Sequence, residues 1–246
     1  MHENMKLGKH PPRVDRRTLK FARYLQPGVL PPPDESCDNT RGKEEWGMLL
    51  NSDYGCCTIS ACGHAVQLFV LSQVNQGIAA DIIMPSDDII LRYYEQWDGY
   101  NPADPSTDRG GVEIDVLNRF RKEGFAGYGL KAYVEVNPLN TEHIKQAIEY
   151  FGNVYAGVDL PLSAQTEEVW ESTGDPPGSW GGHAIVLCGF DADGLTCITW
   201  GAKKKMDWKW WARYADEAYC LLSPDWRPPE GFDTGLLESD LRLVSQ

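Results

Sequence analysis

The chain has 246 residues, enough for one large domain or two small lobes around a shared cleft, and 42% apolar with 24% charged residues is the balance of a folded protein. A formal net charge of −13 argues against nucleic-acid backbones and anionic membranes as partners. The basic, proline-broken start lacks a secretory apolar core, and segments such as "IAADIIMP" and "IKQAIEYFGNVYAGVDL" are too short or too polar to span a bilayer, so no signal peptide or transmembrane segment is expected and a cytoplasmic or virion-associated location is.

Residues 1–45 read as an N-terminal arm. "DRRTLKFARYL" is a short basic helix candidate with Leu19, Phe21, Ala22 and Leu25 on one side, and the prolines of "QPGVLPPPDES" enforce an extended path after it. Such an arm buries too little to fold alone and is expected to lie across the body. "TISACGHAVQLFVLSQV", apolar nearly all round, predicts a buried helix. "SDDIILRYYEQW" predicts a second helix capped by Ser86, and "VEIDVLNRFRKEG" a third, stopped by Gly124.

The period then changes. "LKAYVEVNP" alternates as a strand, "NTEHIKQAIEYFG" is a capped helix and "VYAGVDLP" a strand. The long acidic loop "SAQTEEVWESTGDPPGSWGG" is of the kind that lines or occludes a cleft. "HAIVLCGFDADGLTCITWG" reads as two strands about an Asp191–Gly194 turn, "AKKKM" as a solvated charge run, the Trp-rich "MDWKWWARYADEAY" as packing, and "EAYCLLSPDW" as a last strand. Helices in the first half and strands in the second give an α+β class.

Seven cysteines, at 37, 56, 57, 62, 188, 197 and 220, show no C-x-x-C and no metal-ligand rhythm, so neither a metal nor a cofactor is expected. Free core thiols are the expected state, although Cys188 and Cys197 fall opposite each other if their turn has four residues.

A thiol becomes nucleophilic when ionised, which a helix N-terminus and a neighbouring imidazole both favour. Cys57 opens the first helix after the flexible Gly55. His2 and His10 lie in the arm, and His143 sits on a polar helix. His64, two turns along the same helix, would stand about 10 Å from Cys57, too far for proton transfer, and reads as packing. His183, after Gly181 and Gly182, opens a strand that can aim its ring across a cleft.

Several motifs in chain order resemble the papain-like cysteine peptidases, and most closely their divergent bacterial and phage relatives. These are "LPPPDESCDNTRGKEEWGMLLNSDYGCCTISA", "DRGGVEIDVLNRFRKEGFAGYGL", "IKQAIEYFGNVYAGVDL", "GGHAIVLCGFD" and "ITWGAKKKMDWKWW", with about 126 residues between Cys57 and His183. The resemblance implies a papain-like two-lobe fold within a single domain, residues 46–246. A helical lobe with a long central helix would cover about 46–128, an antiparallel β-barrel-like lobe about 129–225, and a C-terminal tail would follow. It implies Cys57 as nucleophile and His183 as base and then acid, with the Cys57 amide and the Asn51 side chain holding an oxyanion. Gly55, Gly110, Gly111, Gly182 and Trp200 would line the substrate cleft. The chain departs from the pattern at the third member, where asparagine gives way to Ile198 or Thr199, and Asp53 would repel an oxyanion if it faced the site.

Three functions follow. One is a cysteine peptidase or amidase acting on peptide or protein substrates, with weak or lapsed chemistry and the arm lying over the cleft like a propeptide. The second is a non-catalytic structural or binding protein with protein assembly partners, such as a virion component. The third is a thiol-redox protein using Cys56 and Cys57.

Overall fold

The computed structural model describes residues 5–77 and 85–244; most of "IAADIIMP", and His2, lie outside them. Its organising element is α1, Cys57–Asn75, whose apolar residues face every direction and, short of Val74 near its end, are met on every side. Over Cys57–Val74 this helix has the length and hydropathy to cross a membrane, against the expectation of no such run, but 78% of it is buried inside the protein. Its apolarity is that of a core helix.

Two further helices pack beside it. Asp87–Tyr93, α2, runs directly into a π-helical turn, Tyr94–Asp98, and Glu113–Glu123 forms α3. Gly124, at φ 76°, stops α3 as expected, because a left-handed residue ends a helix at no steric cost only when it is glycine. Ser86 begins α2 with an extended backbone but makes no side-chain cap.

The remaining elements build one antiparallel sheet. Its strands are β1 Cys37–Asp38, β2 Ala132–Glu135, β3 Val154–Leu160, β4 Gly181–Phe190, β5 Gly194–Thr199, β6 Ala202–Asp207 and β7 Ala215–Leu222. The main order is β2-β7-β3-β4-β5-β6, with β1 added to β4. β2 and β6 end opposite edges and do not pair, so the expected barrel-like lobe is an open sheet. Both faces are covered. Tyr155, Val186, Ile198 and Leu221 point toward α1, whereas Val154, Ala156, Leu187, Cys197 and Cys220 point into a second core. The period-2 alternation of a strand thus feeds two cores, which is why the strands are apolar at nearly every position.

The second core is closed by α4 Thr141–Phe151, α5 Trp208–Tyr214 and α6 Thr234–Val244. Asn140 Oδ1 caps α4 on the His143 amide, and Gly152 ends it in the left-handed conformation. Trp170 of the acidic loop stacks on Trp210 at 4.7 Å, so the tryptophans pack as expected. "AKKKM" is not a solvated loop but the edge strand β6. Lys203 and Lys205 pair with Glu44 and Asp191, and Lys204 turns inward to donate to the Glu167 carbonyl. Charged residues on an edge strand block further strand addition.

All seven cysteines are free. A bulge between Leu187 and Gly189 pairs Cys197 with Leu187 and leaves Cys188 donating to the Thr196 carbonyl. The basic helix expected in the arm is only a 3-10 turn, Phe21–Tyr24. The backbone on either side of it bonds outward instead, from the Glu135 amide to the Leu19 carbonyl and in a bridge between Leu25 and Phe232. Phe21 and Tyr24 are wholly buried in the second core.

Phe120, fully buried in the first core, should cost about 3–5 kcal/mol when replaced by alanine. Leu139→Ala, at a position 68% exposed, should stay within about 0.5 kcal/mol. Urea unfolding of the two variants checks the pair.

Candidate active site

The two adjacent cysteines sit at the N-cap and the first residue of α1, facing different surroundings. Cys56 Sγ lies against the Leu49 carbonyl at 3.8 Å and Ser60 Oγ at 3.4 Å, inside the first core. Cys57, the first helical residue, faces β4 and the arm. Burial pushes its thiol up to about 12, opposed by the amides of Ala184 and Gly8 and by the Lys9 charge. The helix N-terminus favours a thiolate, but desolvation wins while the site is covered.

His183, near the start of β4, pairs across the sheet with Val158. Its Nε2 lies 2.6 Å from Thr199 Oγ1 and its ring stacks on Trp200, with centroids 4.2 Å apart and planes 18° from parallel. Trp200 holds a left-handed backbone, φ 45°, at the turn between β5 and β6 that presents it to the imidazole. Nδ1 is buried and has no hydrogen-bond partner. One ring nitrogen is thus fixed by the hydroxyl and the other is left available. Burial holds the ring well below its ordinary range, at about 3, so it is neutral. Of the two candidates for the third position, Thr199 makes this contact, whereas Ile198 is buried opposite Val186. His64 bonds the Gly47 carbonyl at 3.0 Å and is a packing residue.

The cleft is filled by the chain's own residues 6–10, not by the acidic loop. The Lys6 carbonyl accepts from Asn51 Nδ2 at 3.2 Å, with Trp200 Nε1 at 3.5 Å. The Lys6 amide returns a bond to the Asn51 carbonyl. Gly8 passes between Gly55 and Gly110 so closely that a Cβ on it would overlap the Gly55 carbonyl. Beyond it, Gly111 donates to the Gly8 carbonyl and accepts from the His10 amide, both at 2.9 Å, and the Lys9 amide donates to the Gly182 carbonyl at 3.2 Å. The arm therefore runs extended between the two walls, with Lys9 in a parallel β-bridge to Gly111. Asn51, Gly55, Gly110, Gly111, Gly182 and Trp200 all meet it. Asp53 is exposed and accepts from Ser52 Oγ, so its charge is directed to solvent.

Sequence reasoning missed the groups around Lys9. Its ammonium lies 2.5 Å from Asp216 Oδ2 and 3.4 Å from Glu217 Oε1, with a bond to the His10 carbonyl. Burial alone would pull Lys9 down, but the charges of Glu113, Asp216 and Glu217 outweigh it and hold the ammonium. Glu113 is completely buried and burial raises its carboxyl well above the usual range. No spacing in the sequence joins residues 9, 113 and 216–217; only the sheet and α3 bring them together.

No protein-family model matches the chain, and no curated protein sequence matches it either. Solved structures do. Xylellain, a cysteine protease from Xylella fastidiosa, aligns over 90% of this chain and 97% of its own at 15% identity, with a TM-score of 0.65. Digestive procathepsin L 3 from the larval midgut of Tenebrio molitor aligns over 90% and 75% at 11% identity, TM-score 0.59. The Carica candamarcensis cysteine protease CMS1MS2, in complex with E-64, aligns over 77% and 98% at 12%, TM-score 0.52. The chain has the papain-like fold.

A neutral buried His183 has a pH consequence. Its value of about 3 lies below the ordinary 6.5, so the unfolded chain takes up a proton that the folded chain refuses. The stability contributed is complete above about 6.5 and is lost as pH falls toward about 3. Between about pH 4 and 6, wild-type stability should fall with acidification about 1.4 kcal/mol per pH unit more steeply than that of His183→Gln. Equal slopes in urea titrations would show that His183 charges in the folded protein.

Proposed function

We propose that the chain is a thiol-dependent peptidase or amidase for peptide or protein substrates, held latent by its own residues 6–10. The observation that carries this reading is a buried thiol in the first turn of α1, held against the Ala184 and Gly8 amides, with the residue before Ala184 in β4 being an imidazole whose Nε2 is tied to Thr199 and whose Nδ1 is unengaged. With residues 6–10 displaced, water reaches Cys57 and His183, their desolvation lessens, and the thiol can pass its proton to Nδ1.

In that open state Cys57 Sγ attacks a substrate carbonyl carbon, and the carbonyl π electrons move to oxygen. The Cys57 amide and Asn51 Nδ2 receive the oxyanion, a role supported by the carbonyl that Asn51 already holds from Lys6. The imidazolium then protonates the leaving amine as the C–N bond breaks. Water, deprotonated at Nδ1, cleaves the thioester and the thiol recovers its proton. Thr199 accepts or donates one hydrogen bond and carries no charge, so it restrains the ring without stabilising imidazolium as a carboxylate would. A slow enzyme is the expected result.

The full-length protein should react slowly with iodoacetamide at Cys57. Gly8→Ala, which cannot keep the arm in the cleft, should raise that rate by about tenfold or more, with a pH dependence that His183→Ala abolishes. E-64 should modify the Gly8→Ala variant and spare the His183→Ala, Gly8→Ala double variant. If Cys57 in Gly8→Ala instead labels no faster than buried Cys62, the scaffold serves binding or assembly and not acyl transfer.

A further inference from the structure

Covering a thiol requires an extended segment, but it does not require a lysine. The Lys9 side chain is 0% exposed, and the space for its stem exists because Gly157 has no side chain; a Cβ there would overlap Lys9 Cε. The carboxylates are brought to the head of this slot by a fault in the sheet. The β3–β7 register shifts between Gly157 and Val158, pairing Gly157 with Glu217 and Val158 with Ala215, so Asp216 has no partner across the ladder. Consecutive residues of a regular strand point to opposite faces, whereas a bulge re-aims one of them. Here Asp216 and Glu217 both reach the same ammonium.

The third acid comes from α3. Both Glu113 oxygens are buried without a hydrogen-bond partner, and Glu113 interacts electrostatically with Lys9, Asp216 and Glu217. Two carboxylates thus meet one ammonium, with the buried Glu113 carboxyl close enough to feel its charge, in a slot shaped for an unbranched alkyl chain. A buried carboxylate is costly unless paired, and an apolar side chain here would leave Asp216 without its ion pair and Glu217 with the Tyr219 hydroxyl alone.

We propose that this slot is a lysine-recognition subsite of the cleft, and that its ligand is an extended peptide which lays a lysine side chain between Gly157 and the carboxyl groups of Glu113, Asp216 and Glu217 once the arm has left. The proposal rests on reading the arm as a removable occupant. Selectivity arises from the acids, which no neutral side chain can satisfy, and from the glycine-walled stem, which leaves no room for a branched one.

The test uses the full-length Lys9→Ala protein, in which the slot is vacated. Binding of acetyl-Leu-Gly-Lys-His-amide is measured by calorimetry against the same peptide with methionine in place of lysine, and against acetyl-Lys-Gly-Leu-His-amide, which carries the same charge elsewhere. At about 1 M salt, long-range attraction to the acidic chain is screened within about 3 Å. The first peptide should bind about tenfold more tightly than either control, the scale of a charge-assisted hydrogen bond. Glu217→Gln in the same background should remove the preference. Equal affinities, or no binding of any peptide, would overturn the proposal. Should Lys9→Ala not fold, full-length Gly8→Ala, which keeps Lys9 and all three acidic residues, takes its place with the same outcomes. Binding needs no reactive thiol. A lysine preference with an inert Cys57 would therefore support the subsite and overturn the peptidase reading, and a reactive Cys57 without the preference would do the reverse.

Discussion

A buried ammonium ties residues 6–10 of the N-terminal arm to the two walls of the cleft. Lys9 reaches a β-bulge on one wall of the cleft and a helix on the other, and the acids it meets are separated from it by more than a hundred residues of chain. Desolvating that much charge is tolerable only while the partners stay together. The backbone bonds from Lys6 to His10 then follow in register, since an extended segment pinned at one side chain has little freedom left along its length.

The same placement decides the chemical state of the thiol and the imidazole. Each is neutral because water has been taken away, and the Lys9 charge lowers both of their proton affinities. The effect on the histidine works against a thiolate–imidazolium pair, and the effect on the cysteine works for it. Desolvation is the largest influence on both, so the covered site rests as thiol and imidazole. Glycines at 8, 55 and 110 make this covering possible, because three backbones meet where any side chain would intrude.

Local signals in the sequence were strong where structure is local. The helix of Cys57, the glycine stops at 124 and 152, and the β4–β5 hairpin follow from periodicity and capping that need no distant partner. The motif order carried the fold, and "GGHA" placed His183 at a strand start. What was hidden depends on contacts across the chain. The arm's basic stretch has the composition of a helix but finds better backbone partners at Glu135 and Phe232. "AKKKM" has the composition of a loop but borders a sheet whose edge needs charge. The choice between Ile198 and Thr199 turned on a bulge that shifts the hairpin by one residue, and the acids around Lys9 are separated by nearly the whole chain.

Because the occupant of the cleft is joined covalently to the body, its hold does not weaken on dilution. Phe21 and Tyr24 anchor the chain in the second core, and the Arg13–Asp115 pair steadies the stretch between that anchor and the cleft. A tether this short gives residues 6–10 an effective concentration on the order of millimolar, against which any free peptide must compete. One backbone cut between His10 and Phe21 would turn a unimolecular equilibrium into a bimolecular one. Occupancy of the cleft by residues 6–10 would then depend on concentration, and the cut itself would be irreversible.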